Sequence, residues 1–372
     1  MTAGPYQNEV GGVKVSTVND RAPPVLATIW RGTVVEARIR GHVVVVDASG
    51  HVLTSVGTPG AETTLRSCVK PIQALPFLRL AADRLEASGA EIAVACASHQ
   101  GEDEHVATVR GLLAKARVPE AALGCGPQLP SDEGTARRLL ASGELSKPIH
   151  NNCSGKHAAM LATCAAMGWP LEGYMEPAHP CQQAVTGALQ EMLGIDLTAV
   201  PRGIDGCGLT TYGPPLASIA RGFAAASSDE AFRRAQDAMA AFPFLVAGTG
   251  RFDTALLEVA GSHLTAKIGG AAVWAAVVRP GGPGIAVKLE AGSGEAIPVV
   301  AIAVLQLLGV LAAELPERLR PFARLSLRNW AGREVGEVRA EQIDLLPVAL
   351  MQSIRPFDDA SVGVYRSPRG NS

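Results

Sequence analysis

Residues 64–82 read TLRSCVKPIQALPFLRLAA. Val69, Ile72, Leu75 and Leu78 recur at helical spacing on one face, which predicts a buried helical segment. Before it, residues 34–57 read VVEARIRGHVVVVDASGHVLTSVG, where DASG separates β-branched runs and signals a hairpin; two or three strands are expected there. Ser67 and Lys70 stand where strand spacing yields to helical spacing. Three residues apart, they share a helical face, so the hydroxyl and the amine can meet.

The surrounding chain supports a large buried core. Its 372 residues are 47% hydrophobic and 18% charged, with a formal charge of −2, which argues against disorder and gives no basic excess for nucleic acid. The N-terminal MTAGPYQNEVGGVKV lacks a basic, then apolar, leader, and no apolar run reaches membrane-spanning length, so no membrane association is expected. Seven dispersed cysteines without a leader read as reduced thiols in a cytoplasmic protein.

Further along, EIAVACAS (91–98) reads as an apolar strand ending at Ser98, followed by a helix in 101–118 with acidic residues in its first turn. Helical patterns fill the middle: KHAAMLATCAAMGW (156–169), CQQAVTGALQEMLG (181–194) and DEAFRRAQDAMAAF (229–242). HLTAKIGGAAVWAAVVRP (263–280) and GIAVKLEAG (284–292) read as adjacent strands, and 297–315 as a long buried helix. This order suggests an α/β chain of the α+β type: an antiparallel sheet flanked by helices with a helical subdomain. One domain is expected over 23–355, with two lobes and the helical lobe at roughly 100–245, between flexible ends 1–22 and 356–372.

S-x-x-K is the arrangement in which lysine activates serine in penicillin-recognising enzymes and serine β-lactamases. A free lysine titrates near about 10.4, so Lys70 must be desolvated or placed beside cations to act as a base near neutrality. Pro71, Ile72 and the scarcity of nearby charge favour burial. Such a pattern also arises by chance. Lys267, in AKIGG, resembles the K-[ST]-G strand that faces the serine in those enzymes, in the right chain order but with Ile268 in the middle. A solvated strand lysine is the ordinary alternative. Ser98 suits either local capping or presentation at the end of an element.

HNNCSGKHAAML (150–161) places Cys153 and Lys156 three residues apart, and GIDGCGLTTYG (203–213) supplies Cys207 with Asp205. Two thiolates and a nitrogen suit zinc. Spacing alone favours buried structural cysteines, because no C-x-x-C pair occurs and lysine is an uncommon ligand.

Together, RSCVKPIQALP, ASHQGE, HNNCSGKH, EPAHPCQQAV, GIDGCG, LVAGTGRFDT and AKIGG resemble, in order, the Rhizobium-type (class 3) L-asparaginases, the asparaginase II domain family, over about residues 25–340. The resemblance implies a fold like that of serine β-lactamases, penicillin-binding proteins and glutaminases. It implies hydrolysis of L-asparagine to L-aspartate and ammonia, with glutamine cleaved weakly or not at all, and a homodimer. By residue, it implies Ser67 with Lys70 and Ser98 with Lys267 as catalytic pairs. Cys153, Lys156 and Cys207 become ligands of one zinc ion that supports substrate binding, and Arg66, His157 and Asp205 become substrate-binding groups. Ser67 is the expected nucleophile, with Ser98 the alternative. Two departures stand out: Ala occupies the place of an acidic residue usual after Lys267 (K-x-G-A-E-G), and Thr210 and Thr211 stand where proline is usual. Three other readings compete: a β-lactamase or peptidase, a thiol amidase using Cys153 and His157, and a non-enzymatic amino-acid-binding protein.

Overall fold

A computed structural model describes residues 22–341 apart from 48 and 293, together with 343 and the backbone of 9–10 and 13–14. The expected flexible ends, 1–22 and 356–372, lie outside the described residues, save residue 22 and two antiparallel two-residue strands, Glu9–Val10 and Val13–Lys14.

The sheet is antiparallel and built from β1 (Val25–Arg31), β2 (Val34–Val46), β3 (Val52–Val56), β4 (Leu264–Gly269), β5 (Val273–Val278), β6 (Gly284–Leu289), β7 (Leu325–Arg328) and β8 (Glu334–Ala340). Its order is β7-β8-β1-β2-β6-β5-β4, with β3 paired to β2. The 13-residue β2 joins the two halves: its first part pairs with β1, while Gly41–Val46 pairs with β6. As expected, 34–57 forms two strands, β2 and β3, and the two runs around 263–292 become β4, β5 and β6.

Side chains on a strand alternate between faces, and here both faces are covered. Val44, Val46, Val273, Ala275 and Val277 enter the core shared with the helical half of the chain. Val43, Val45, Trp274, Ala276 and Ile285 face the opposite core, under the helices Phe252–Ala260 and Ile297–Leu307. Packing is close enough that backbone approaches backbone. A Cβ on Gly284 of β6 would stand 1.9 Å from the carbonyl oxygen of Ala220, in the helix Leu216–Ala226.

Helices dominate from Arg66 to Ala247, so the helical part begins well before residue 100. Three sequence expectations are corrected. EIAVACAS is not a strand: Gly89–Ala95 is a buried helix. Ser88 caps it, accepting from the Glu91 N–H while the Glu91 carboxylate accepts from the Ser88 N–H, a reciprocal box that fixes the helix start. A continuous apolar run does not separate strand from buried helix, and the cap decides. The helical run at 64–82 breaks into a 3-10 turn, Arg66–Val69, and two short helices, Lys70–Gln73 and Leu75–Leu80, each with a proline in its first turn. Finally, the helix expected over 297–315 ends at Leu307, where Gly309 adopts φ 69° and turns the chain.

Candidate active site

The break in the 64–82 run determines how Ser67 is presented. Arg66, just before it, has φ 47°, a left-handed conformation disfavoured for a residue with a Cβ. Two neighbours hold this turn. The Leu65 N–H donates to the Tyr212 carbonyl at 2.9 Å, and β4 ends so close that a Cβ on Gly269 would stand 2.9 Å from the Cys68 nitrogen. Ser67 is therefore fixed between β4 and the antiparallel ribbon Arg202–Ile204/Thr210–Tyr212, whose tip carries Asp205 and Cys207.

Lys70 is fully buried. Its Nζ donates to the carbonyl of Ala97 at 2.5 Å and to that of Asn152 at 3.3 Å. Burial is the main cause that brings its pKa down to about 8; Lys156 and Lys267 add to the effect and Cys153 opposes it. Among the described residues no carboxylate pairs with this amine. The carbonyl it holds belongs to the residue before Ser98, so the lysine of one expected pair also supports the serine of the other.

Ser98 follows the helix Gly89–Ala95, its N–H donating to Val246 O at 3.0 Å. Its Oγ is buried and has no hydrogen-bond partner. His99 beside it is buried; its Nδ1 accepts from the Gly101 N–H, leaving Nε2 to donate to Ser154 Oγ at 3.0 Å.

Lys267 is also fully buried, on β4. Its Nζ donates to Asp253 Oδ2 at 2.8 Å and to Ile268 O at 2.9 Å. Asp253, in the first turn of the helix Phe252–Ala260, also accepts from the Ile268 N–H at 3.0 Å. The sequence reading quoted this aspartate within LVAGTGRFDT and gave it no role. Its place in the first turn of the helix Phe252–Ala260 is the sequence signal that could have found it. Among the described residues neither serine hydroxyl is hydrogen-bonded to a lysine amine.

Cys153, Lys156 and Cys207 converge and are all buried. Lys156 Nζ donates to Cys207 Sγ at 3.3 Å. The Cys153 thiol is drawn well below the usual thiol range by a hydrogen bond from Cys207 and by the nearby Lys70 and Lys156, against the effect of burial. Burial disfavours the charged form of Lys156, yet Cys153, Cys207 and Asp205 outweigh it and push the pKa up. The segment before the helix Ser154–Met167 is pinned: Asn151 Nδ2 donates to Cys125 O at 2.9 Å, and its Oδ1 accepts from the Cys153 N–H at 2.8 Å. Among the described residues no group of three or more His, Cys, Asp or Glu could hold a metal ion. The set here has two thiols and an amine.

Arg66 Nε lies 3.0 Å from Asp205 Oδ1, an ion pair without hydrogen-bond alignment. His157 is fully buried, its Nδ1 2.6 Å from Tyr174 Oη, while its Nε2 has no partner. Burial, then Lys156 and Lys70, lower its pKa well below the usual value.

A cavity of about 620 Å³ brings most of these groups to one surface. Arg66, Ser67, Ser98, Cys153, Asp205 and Cys207 line it, and Asp253 borders it. Lys70, Lys156, Lys267 and His157 stand behind that wall. His157 thus backs Lys156 and does not face the cavity space. The cavity can fix a zwitterion between Arg66 and Asp205 and present its side chain to two serines.

The model of the L-asparaginase II family matches residues 27–340. No curated protein matches the chain.

Proposed function

The chain belongs to the L-asparaginase II family and is an L-asparaginase, a hydrolase acting on amide bonds, and from that premise we propose that it cleaves the side-chain amide of L-asparagine through an acyl-enzyme on Ser67. The observation that carries this reading is the single cavity wall shared by Ser67, Ser98, Arg66 and Asp205, backed by two fully buried lysines.

Arg66 binds the substrate α-carboxylate and Asp205 its α-ammonium group. Lys70, kept towards its neutral form by burial, takes the Ser67 proton as Oγ attacks the amide carbon. The oxyanion of the tetrahedral intermediate is met by the Ser67 N–H. Lys267, through Ser98, supplies the proton on the departing ammonia. Water then cleaves the aspartyl ester, its proton passing through Ser98 to Lys267 while Lys70 returns the proton to the Ser67 Oγ. A thiol route through Cys153 and His157 is disfavoured, because His157 does not line the cavity and its Nδ1 is taken by Tyr174.

Cys153, Lys156 and Cys207 fit a zinc ion: two buried thiols, one already drawn towards thiolate, face an amine that loses its proton on coordination. When bound, zinc would supply a polarising centre held by Cys153, Lys156 and Cys207 that supports substrate binding. The sheet with helices inserted between β3 and β4, bearing S-x-x-K at the start of the insert and K-x-G on β4, supports a serine β-lactamase-like ancestry. Seven free cysteines support a reducing, cytoplasmic setting. No helix among the described residues is long and apolar enough to cross a membrane. A homodimer with little or no action on glutamine completes the proposal. Ammonia release from asparagine, glutamine and buffer alone tests it; release from asparagine is expected, and its absence overturns the reading.

A further inference from the structure

Lys267 and Asp253 form an ion pair with both side chains fully buried, at 2.8 Å. Of the charged pairs among the described residues, this one alone has both partners shut away from solvent. Such pairs are costly to bury, and replacing them with apolar residues is often neutral or stabilising, so their presence calls for another account. The surroundings supply one. Asp253 also accepts from the backbone N–H of Ile268, the residue after Lys267, so one carboxylate fixes both the lysine amine and the end of its strand. Ile268, Gly269 and Asp253 itself border the cavity that holds both serines. Ala271 and Ala272, beyond them, keep φ of 56° and 54° and bring no carboxylate to this turn.

We propose that Asp253 is a positioning residue for the hydrolysis: it holds the Lys267 ammonium and the end of β4 in the orientation that serves Ser98. This inference rests on the Ser-Lys reading above. Without the carboxylate, the four-carbon lysine stem is free to swing to other carbonyls, and the proton donor leaves its place. A displacement of about 1 Å at a reacting group can cost 10²-fold in rate.

The test exploits the contact of Asp253 with the cavity. Asp253→Ala should lower kcat by about 10²-fold with KM nearly unchanged. Sodium formate, small enough to enter the vacated space, should restore a large part of that kcat in a saturable way, while sodium chloride at equal ionic strength should not. Asp253→Ala combined with Lys267→Met should show no response to formate. A merely structural aspartate predicts none of this ordering. Asp253→Asn, which keeps the shape and an acceptor for the Ile268 N–H, guards against loss of folding. Monitored by its melting transition, it should stay folded and remain slow. Wild-type kcat in a folded Asp253→Asn, rescue by chloride as effective as by formate, or formate rescue that survives loss of Lys267 would each overturn the proposal. Failure of the wild-type protein to release ammonia from asparagine would instead sink the hydrolase reading, a separate result.

Discussion

Lys70 donates to the backbone carbonyl of Ala97 at 2.5 Å, and Ala97 directly precedes Ser98. The lysine that stands three residues after Ser67 therefore also anchors the backbone presenting the second serine. One buried amine thus ties the segment that carries Ser98 to the helix that follows Ser67.

Lys70 should accordingly be irreplaceable. Lys70→Met should lower kcat on asparagine by at least 10²–10⁴-fold, the range general-base groups contribute. Lys70→Arg should not restore it, because a guanidinium stays charged and cannot accept the proton. Steady-state kinetics on both variants checks this; an Arg variant near wild-type rate would remove Lys70 from the role of base.

Metal content offers a second check. Protein prepared with zinc should carry about one ion per chain, with Zn–S distances near 2.3 Å by X-ray absorption. Cys153→Ala should lose the ion and raise KM more than it lowers kcat. Unchanged metal content in that variant would show that the thiol pair does not hold zinc.

Substrate choice should follow the Arg66–Asp205 pair. A single methylene is usually worth only about 1–3 kcal/mol in a pocket. A head group held at both ends adds a geometric demand, because the longer amide of glutamine then overshoots Ser67. kcat/KM for asparagine should exceed that for glutamine by more than about 200-fold. Asp205→Ala should lose asparagine activity while keeping its melting temperature. Comparable kcat/KM for the two amides would contradict the clamp.

The helix before Ser98 yields a stability prediction. Ser88→Ala removes one half of a capping box and should destabilise the protein by about 1 kcal/mol in urea unfolding. Threonine at the same position should recover most of the loss. No change on Ser88→Ala would mean that tertiary packing alone fixes 89–95 as a helix.

Much of the sheet and of the long helices was legible, because the β-branched run at 43–46 and the small-residue helical run at 156–169 are carried by local sequence. Gly89–Ala95 was misread, since a run buried on every side has no periodicity and its cap, Ser88, lies outside the run. β7 and β8 escaped notice: Leu325–Arg328 is a short, partly exposed edge strand paired to β8, and Glu334–Ala340 joins the sheet through long-range pairing with β1. At the site, spacing singled out Ser67 with Lys70 and Cys153 with Lys156, while the ligand and substrate-binding roles came from the family resemblance. The union of distant segments around one cavity, and the pairing of Asp253 with Lys267, depend on tertiary contacts that spacing does not encode.

The central claim is that Ser67 carries the acyl group. Its most direct test is ammonia release by Ser67→Ala and Ser98→Ala, with rapidly quenched wild-type enzyme mapped by peptide mass spectrometry under saturating asparagine. The account predicts an aspartyl adduct on the peptide containing Ser67, and no turnover by Ser67→Ala. An adduct on Ser98, or a Ser67→Ala enzyme that keeps most of its kcat, would contradict it.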